Sequence, residues 1–324
     1  MNRTFRANMM LLTAALIWGV AFVPQGMAMD SMPPFSFNGI RMLLAGLTLM
    51  VCIALIRRRD KTIDGSKQDP HSKKSCAPSV MRTTVLPGCL CGLILFVASS
   101  FQQLGLQDST PGKAGFITAL YIVLVPLVGL FRGKKIGPRV WLAVALSALG
   151  LFFLCVTSEL VMGPGDLYLI LCAFCFTGHI LVIDHFAPGA DCMKMSCIQF
   201  FVAGTLATLV AALFEKPTLG GVRQAIFPIL YTGSLSGAVG YTLQMLGQRD
   251  TSPTVASLLM CLESVFAVLA GWILLKDTLS PRELLGCALM LAGIVLAQFP
   301  LSRDSSPHEL PAYVHGSEEI RPKA

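Results

Sequence analysis

The sequence predicts an all-α integral membrane protein with ten transmembrane helices, arranged as two inverted five-helix repeats. Three observations predict this fold class: the composition, the number of long apolar runs, and an internal repeat with an odd number of helices. Hydrophobic residues make up 54% of the 324 residues and charged residues only 13%. In a soluble domain about a quarter of the residues are charged, so a chain this apolar needs a lipid bilayer around it.

Apolar runs long enough to cross a bilayer, which takes about 20 residues, recur along nearly the whole chain. The first run follows Arg3 and Arg6 and therefore resembles a secretory signal. No small-residue cleavage site stands out after it, and nine further runs follow, so we expect a helix there as well. The ten predicted helices cover residues 9–28, 36–56, 84–106, 112–131, 138–156, 165–184, 194–214, 224–247, 254–275 and 282–299.

Two segments lack the apolar residues needed for packing. The loop at 57–81 is polar and basic, and the tail at 301–324 contains three prolines, which is typical of flexible chain. The eleven cysteines lie mostly inside the apolar runs and lack the spacing of metal fingers. We expect them to be buried apolar residues, without excluding disulfides, and we expect no cofactor and no metal.

The basic residues orient the chain. Most of the 25 Lys and Arg residues fall on the side that holds the N-terminus, the 57–81 loop, the 132–139 turn and the tail. The opposite side keeps only Lys113, Lys216, Arg223, Lys276 and Arg282. The positive-inside rule therefore places both termini in the cytoplasm. Because this topology explains the net charge of +7, we expect no nucleic-acid partner.

An internal repeat divides the chain into two halves, 9–156 and 164–299. Residues 101–120 align with residues 243–262, so that Gln102 meets Gln244 and Gly105 meets Gly247. Further along, with a shift of one residue, Gly150 meets Gly293. Each half contains five helices, an odd number, so the second half enters the membrane from the opposite side. Ser280 and Glu283 form a predicted capping box for the last helix.

Five segments together form a recognisable pattern: LIWGVAFV (16–23), PPFSFNGIRMLLAG (33–46), GLQDSTPGKAGFITALYIVLVPLVGL (105–130), GDLYLILCAFCFTGHILVIDHF (165–186) and the stretch 252–297. They resemble the EamA-domain family of the drug/metabolite transporter superfamily, across most of the chain apart from the loop and the tail. Ser264 is a departure, because the family often has proline after the glutamate that stands at position 263. The resemblance implies ten helices, a central cavity between the halves, and export of amino acids or other small metabolites.

Glu263 is the leading candidate for a functional residue. It is the eleventh residue of a helix that starts at Pro253, which places it about 15 Å into a core roughly 30 Å thick. A charge at that depth costs at least about 2.5–3.5 kcal/mol and marks a transport path by default. We interpret Glu263 as a carboxylate that binds protons or a substrate amine. The alternative is a protonated acid that joins two helices.

Five further residues are weaker candidates for the cavity. Arg41 either holds a substrate carboxylate, pairs with an acid such as Asp30, or extends to the lipid headgroups as an anchor, which we favour. His179 either relays protons or bonds neutrally between helices. Trp18 is either a cavity wall or plain packing, and polar groups that could line the cavity include Tyr121 and Gln244.

These patterns favour a secondary transporter of the plasma (bacterial inner) membrane that exports a small-molecule substrate and acts as a monomer or a homodimer. A proton gradient is a candidate driving force. A passive channel or a lipid flippase is the alternative, and an intramembrane hydrolase built on Ser236 and His179 ranks behind both. The chain lacks the G-x-S-x-G, HExxH and phosphate-loop motifs, so we expect that it is not an enzyme.

Overall fold

The computed structural model describes residues 3–63, 81–108, 111–155, 163–275 and 280–298. The described residues form ten helical rods, α1 to α10, and the predicted 57–81 loop and the 301–324 tail lie largely or wholly outside them. The rods are α1 (Arg3–Met29), α2 (Pro34–Ile63), α3 (Met81–Val85 and Leu86–Gln107), α4 (Pro111–Thr118 and Tyr121–Phe131), α5 (Pro138–Cys155), α6 (Pro164–Phe186), α7 (Cys192–Phe214), α8 (Leu219–Gln224, Ile226–Leu230, Tyr231–Gly240 and Tyr241–Gln248), α9 (Pro253–Met260, Glu263–Ala270 and Gly271–Leu275) and α10 (Pro281–Gln298).

Seven helices are long and apolar enough to cross a membrane by length and composition, and Pro138–Leu154 is a shorter apolar helix. The described residues contain no strand. The predicted fold class, an all-α integral membrane protein, is confirmed.

Polar side chains fix several helix ends. The Gly163 N–H donates to Asp166 Oδ2 at 2.8 Å at the start of α6, and Asp191 caps α7 through the Lys194 N–H at 3.2 Å. At α10 the Ser280 N–H donates to Glu283 Oε2 at 2.7 Å, and the Glu283 N–H donates back to Ser280 Oγ at 3.2 Å. The predicted capping box is confirmed, and it satisfies two backbone donors that the first helical turn leaves free.

The packing of the rods repeats with pseudo-two-fold symmetry. Helix α1 packs on α8 and α9, and its counterpart α6 packs on α3 and α4. Helix α2 packs on α7 and α8, and its counterpart α7 packs on α2 and α3, while α5 packs on α10. Each of these helices therefore meets the counterparts of the helices that its own counterpart meets, as inverted repeats require.

Glycines at the crossings carry the same symmetry at the level of single residues. A Cβ on Gly150 would lie 2.6 Å from the carbonyl oxygen of Gly286, and a Cβ on Gly293 would lie 2.7 Å from that of Ala143. Because Gly150 aligns with Gly293, these two contacts of α5 with α10 are equivalent. The two helices approach so closely that only glycine fits at these points.

Two helices are interrupted at equivalent places, which the sequence did not predict. In α4 the break follows Thr118, where the Leu120 N–H bonds to the Ile117 oxygen at 3.2 Å. In α9 it follows Met260, where the Leu262 N–H bonds to the Leu259 oxygen at 3.3 Å. Both are bonds to the third preceding residue, as in a tight 3₁₀ turn. Tyr121 and Glu263 are the first residues after the two breaks.

Candidate functional site

A cavity lies between the two halves and contains all six candidate residues. The space between its lining atoms, including the part open to solvent, is about 620 Å³. Helices α1 to α4, α6, α8 and α9 all contribute to it, so the cavity forms only when both halves pack together. Its lining residues are Trp18, Phe22, Gln25, Arg41, Gln102, Thr118, Tyr121, Phe176, His179, Ile180, Ser236, Tyr241, Gln244, Met260 and Glu263.

Glu263 is buried, with 9% of its surface exposed, at the start of the second segment of α9. Its Oε1 accepts a hydrogen bond from the Tyr121 hydroxyl at 3.2 Å. Helix α1 packs directly against its backbone, because a Cβ on Gly19 would lie 2.5 Å from the Glu263 carbonyl oxygen. The acid therefore faces the cavity and not lipid, as expected. Whether it binds ligand or only joins α4 to α9 stays a prediction.

Arg41 is buried inside the bundle, with 9% of its surface exposed. Its Nε donates to Asn38 Oδ1 at 2.9 Å and its Nη1 to Gln25 Oε1 at 3.3 Å. Gln103 Nε2 donates to the same Gln25 oxygen at 3.0 Å. The side chain lines the cavity and does not extend to the headgroups, so our favoured interpretation of Arg41 as an anchor is wrong. The burial of the guanidinium among side-chain amides explains this, because they satisfy two of its donors.

The charge of Arg41 has no acidic partner among the residues that the structure describes. The ion pairs of those residues join other side chains, such as Lys134 with Asp184 at 3.3 Å. Asp30 is among the described residues and does not pair with Arg41. A guanidinium held only by neutral acceptors keeps its full charge, and a buried unpaired charge is costly. The cavity wall at Arg41 therefore favours a negative group.

His179 is fully buried in α6 and lines the cavity. Its Nε2 lies 3.0 Å from Gln199 Oε1 on α7. Because the amide oxygen only accepts, Nε2 carries a hydrogen, and in the neutral ring Nδ1 is then an acceptor. Nδ1 is buried and has no hydrogen-bond partner among the described residues. The interhelical bond that we weighed is present; whether His179 stays neutral or relays protons remains a prediction.

Trp18 joins α1 to the π-helical segment of α8. Its Nε1 donates to the Ser236 carbonyl oxygen at 3.1 Å, and its ring lies 4.8 Å from that of Tyr241, centroid to centroid. A Cβ on Gly240 would lie 2.5 Å from Trp18 Nε1. The indole is therefore both packed against α8 and part of the cavity wall. π-Helical turns are frequent at functional sites.

Gln244 contributes another buried acceptor. The side chain is 3% exposed, and its Oε1 has no partner within the described part of the chain. The repeat register would also have pointed to Gln102, which aligns with Gln244 and lines the same cavity. The sequence did not predict that Phe176 and Ile180 line the cavity, because an apolar residue in an apolar span does not differ from its neighbours.

The hydrolase interpretation finds no support in the geometry. A nucleophile needs its base within hydrogen-bond reach. His179 bonds to Gln199, and no hydrogen bond joins it to Ser236 in the described ranges, although both line the cavity.

The family comparison decides the class of protein. The model of the EamA-like transporter family matches residues 5–156 and, a second time, residues 163–299. The chain belongs to the EamA-like transporter family. The resemblance seen in the sequence is thereby confirmed.

Relatives across most of the chain carry transporter names. An uncharacterized transporter of Archaeoglobus fulgidus is 28% identical over 295 residues, covering 90% of this chain and 85% of the relative. An S-adenosylmethionine/S-adenosylhomocysteine transporter of Chlamydia muridarum is 24% identical over 299 residues, covering 86% and 87%. A solved crystal structure has the same fold, with a TM-score of 0.71 at 18% identity over 90% of this chain and 96% of that one. This EamA-like protein is a membrane transporter.

Proposed function

We propose that this EamA-like protein is a secondary transporter that exports a small metabolite with an amino and a carboxyl group, such as an amino acid, by alternating access between its halves. One observation carries the proposal. Arg41 and Glu263, side chains of opposite charge type, are both buried in the wall of one cavity between the halves and do not pair with each other. Sites at the interface of inverted repeats are where such transporters bind substrate.

The Arg41 side of the cavity suits a carboxylate. Asn38 and Gln25 occupy the Nε and one Nη1 donor, which leaves further N–H groups of the planar guanidinium. A carboxylate can accept two parallel hydrogen bonds from such a group. Binding it would also neutralise the buried charge.

The Glu263 side of the cavity suits a positively charged group that donates hydrogen bonds. The acid has an acceptor oxygen beyond the one that Tyr121 engages. Gln244 Oε1 and, in the neutral ring, His179 Nδ1 are buried acceptors that no donor of the described residues reaches. An ammonium group carries three N–H donors and no acceptor. It therefore complements this set, whereas a second carboxylate would not.

The name of one relative supports a substrate of this kind. The Chlamydia muridarum relative is named for S-adenosylmethionine and S-adenosylhomocysteine, and both compounds carry an amino-acid group. Trp18, Phe22 and Phe176 give the cavity of this chain an aromatic wall for the rest of such a molecule.

The same arrangement suggests how transport is driven. A proton and a substrate ammonium would compete for the Glu263 carboxylate, so that the protein carries one or the other across in each half-cycle. Proton entry would then drive export. A passive channel lacks this exchange and cannot move substrate uphill.

Transport in proteoliposomes tests the proposal. Radiolabelled amino acids and other small metabolites are screened with and without an imposed pH gradient, for wild type, Glu263→Gln and Asp184→Asn. Asp184 is the matched control, because it is an acid outside the cavity that pairs with Lys134. We expect uphill flux for wild type and Asp184→Asn, and its loss in Glu263→Gln. Flux that ignores the gradient and survives Glu263→Gln would instead indicate facilitated diffusion, with Glu263 as a link between helices.

A further inference from the structure

The cavity straddles the pseudo-two-fold axis. The register that aligns Gln102 with Gln244 also aligns Thr118 with Met260, and both members of each pair line the cavity. The contacts of Gly105 with Leu169 and of Gly247 with Leu11 are equivalent, so Leu11 aligns with Leu169. The same spacing aligns Trp18 with Phe176 and Phe22 with Ile180. These residues also line the cavity in pairs.

Tyr121 and Glu263 are themselves such a pair. They stand three positions after Thr118 and Met260 in the same register, and each begins the helical segment after the break. The backbone around them is equivalent too. The Ile122 N–H bonds to the Ala119 oxygen at 3.0 Å, and the Ser264 N–H bonds to the Cys261 oxygen at 3.2 Å.

These two equivalent residues touch each other, since the Tyr121 hydroxyl donates to Glu263 Oε1 at 3.2 Å. When two equivalent positions of units related by a two-fold axis contact each other, their contact spans that axis. The Tyr121–Glu263 bond therefore marks the axis in the interior of the bundle. The remaining lining residues, such as Arg41 and His179, make the cavity asymmetric around it.

We propose that the Tyr121–Glu263 hydrogen bond is kept in both access states, and that Tyr121 is the positioning residue that holds the acid on the axis while the two ends of the cavity open in turn. In an inverted repeat the two access states arise when the halves exchange conformations. This exchange carries every off-axis contact to the other side of the membrane. It carries a contact on the axis onto itself. The position of the pair on the axis can be tested without knowing the substrate, whereas its role in transport rests on the proposed function.

Exchanging the two residues is the sharpest test. If the positions are equivalent about an axis, Tyr121→Glu combined with Glu263→Tyr rebuilds the same bond with its ends reversed. Each single change destroys it, by placing two acids or two phenols on the axis. We expect each single variant to lower the thermal unfolding midpoint of the purified protein by several degrees, and the double variant to recover most of that loss. If the midpoint of the double variant falls by as much as the two single losses added together, or by more, the proposal is overturned.

Trp18 and Phe176 provide the matched control, because they are equivalent but lie off the axis. The Trp18 indole donates its hydrogen bond to the Ser236 carbonyl oxygen of α8 and not to its equivalent residue. Trp18→Phe combined with Phe176→Trp should therefore recover nothing beyond the sum of its single effects. Recovery there as well would show that the method does not report on the axis, and would overturn the inference drawn from Tyr121 and Glu263.

Transport separates the positioning role from the placement. We expect either single variant to keep less than about a tenth of wild-type uphill flux, and the double variant to exceed both several-fold. Recovery of stability without recovery of transport overturns the positioning role. If wild type itself carries no substrate, the proposed function fails, and the thermal result still decides the placement.

A cross-link tests whether α4 and α9 stay together here. A Cβ on Gly115 would lie 3.9 Å from Ser264 Oγ, in van der Waals contact, so cysteines at these two positions would be direct neighbours. In a background without the native cysteines, oxidation of Gly115→Cys combined with Ser264→Cys should leave the transport rate unchanged. Transport that stops on oxidation and returns on reduction would show that the helices separate, and would overturn the proposal.

Discussion

At the scale of single residues, the two charged groups of the cavity are held differently. Arg41 belongs to a network that joins α1, α2 and α3 through Gln25, Asn38 and Gln103. Within the part of the chain that the structure describes, Glu263 has one side-chain hydrogen bond, from Tyr121. A side chain fixed by several neighbours is a preorganised binding group. A carboxylate with one partner keeps acceptor capacity, which a group that exchanges protons for substrate needs.

Arg41→Gln should weaken binding of substrates that carry a carboxylate by about 30-fold or more, because it removes the positive charge with which the bound carboxylate would pair in the buried site. Amine substrates without a carboxylate should lose much less. Binding to the purified protein, measured by calorimetry, checks this. Arg282→Gln is the matched control, since Arg282 stacks over Phe152, 5.5 Å from the ring centroid, and does not line the cavity. Equal losses for both substrate classes would contradict a carboxylate subsite at Arg41.

The sequence predicted the depth of these residues in the membrane but not the direction in which they point. Hydropathy gives the position of Arg41 along α2. Its rotation about the helix axis depends on packing, for example on the contact of Gly39 with Thr208 of α7. That rotation turns Arg41 towards Gln25, and the headgroup interpretation failed for this reason.

At the scale of helices, the ends were predictable and the interruptions were not. Proline, acidic and hydroxyl residues mark helix starts by local chemistry, as Ser280 and Glu283 do. The breaks in α4 and α9 contain Ala119, Leu120, Cys261 and Leu262, which are ordinary helix residues without a breaking signal. Because the breaks recur at equivalent places, they belong to the packing of the halves and not to local preference.

Gly19→Ala should loosen the site at the level of helix packing. Its Cβ would meet the Glu263 oxygen at 2.5 Å and the Ala267 nitrogen at 2.9 Å, and backbone atoms cannot move aside without shifting α9. Overpacking of this kind costs about 1–3 kcal/mol. We expect a lower thermal unfolding midpoint and reduced transport.

Gly26→Ala on the same helix is the matched control, because nothing lies within 4 Å of its Cβ. Alanine stabilises a helix by up to about 1 kcal/mol relative to glycine, so this variant should be as stable as wild type or slightly more stable. Similar midpoints for the two variants would show that α1 does not pack against α9 at Gly19.

At the scale of the whole molecule, the halves and their symmetry were readable from the sequence, whereas the cavity was not. The aligned prolines and glycines fix the register of the repeat. The cavity depends on which faces of seven helices converge, and bonds such as His179 with Gln199 join helices that hydropathy treats alike. The boundaries 9–156 and 164–299 stay a prediction, as do the cytoplasmic termini.

Labelling of single cysteines would determine the orientation. The helix ends lie at two opposite faces of the bundle. At one face Thr251 bonds to Asn8 and Lys134 pairs with Asp184. At the opposite face Glu215 accepts a hydrogen bond from the Ser36 N–H. Asp30 and Gly189 are exposed in turns that follow α1 and α6, and an odd number of crossings separates them.

With the N-terminus in the cytoplasm, Asp30→Cys should react with an impermeant maleimide added to intact cells, and Gly189→Cys should react only after permeabilisation. Both variants are made in a background without the native cysteines. The opposite pattern would reverse the orientation of the whole molecule. Labelling of both from outside would contradict an odd number of crossings between them, and with it the inversion of the two halves.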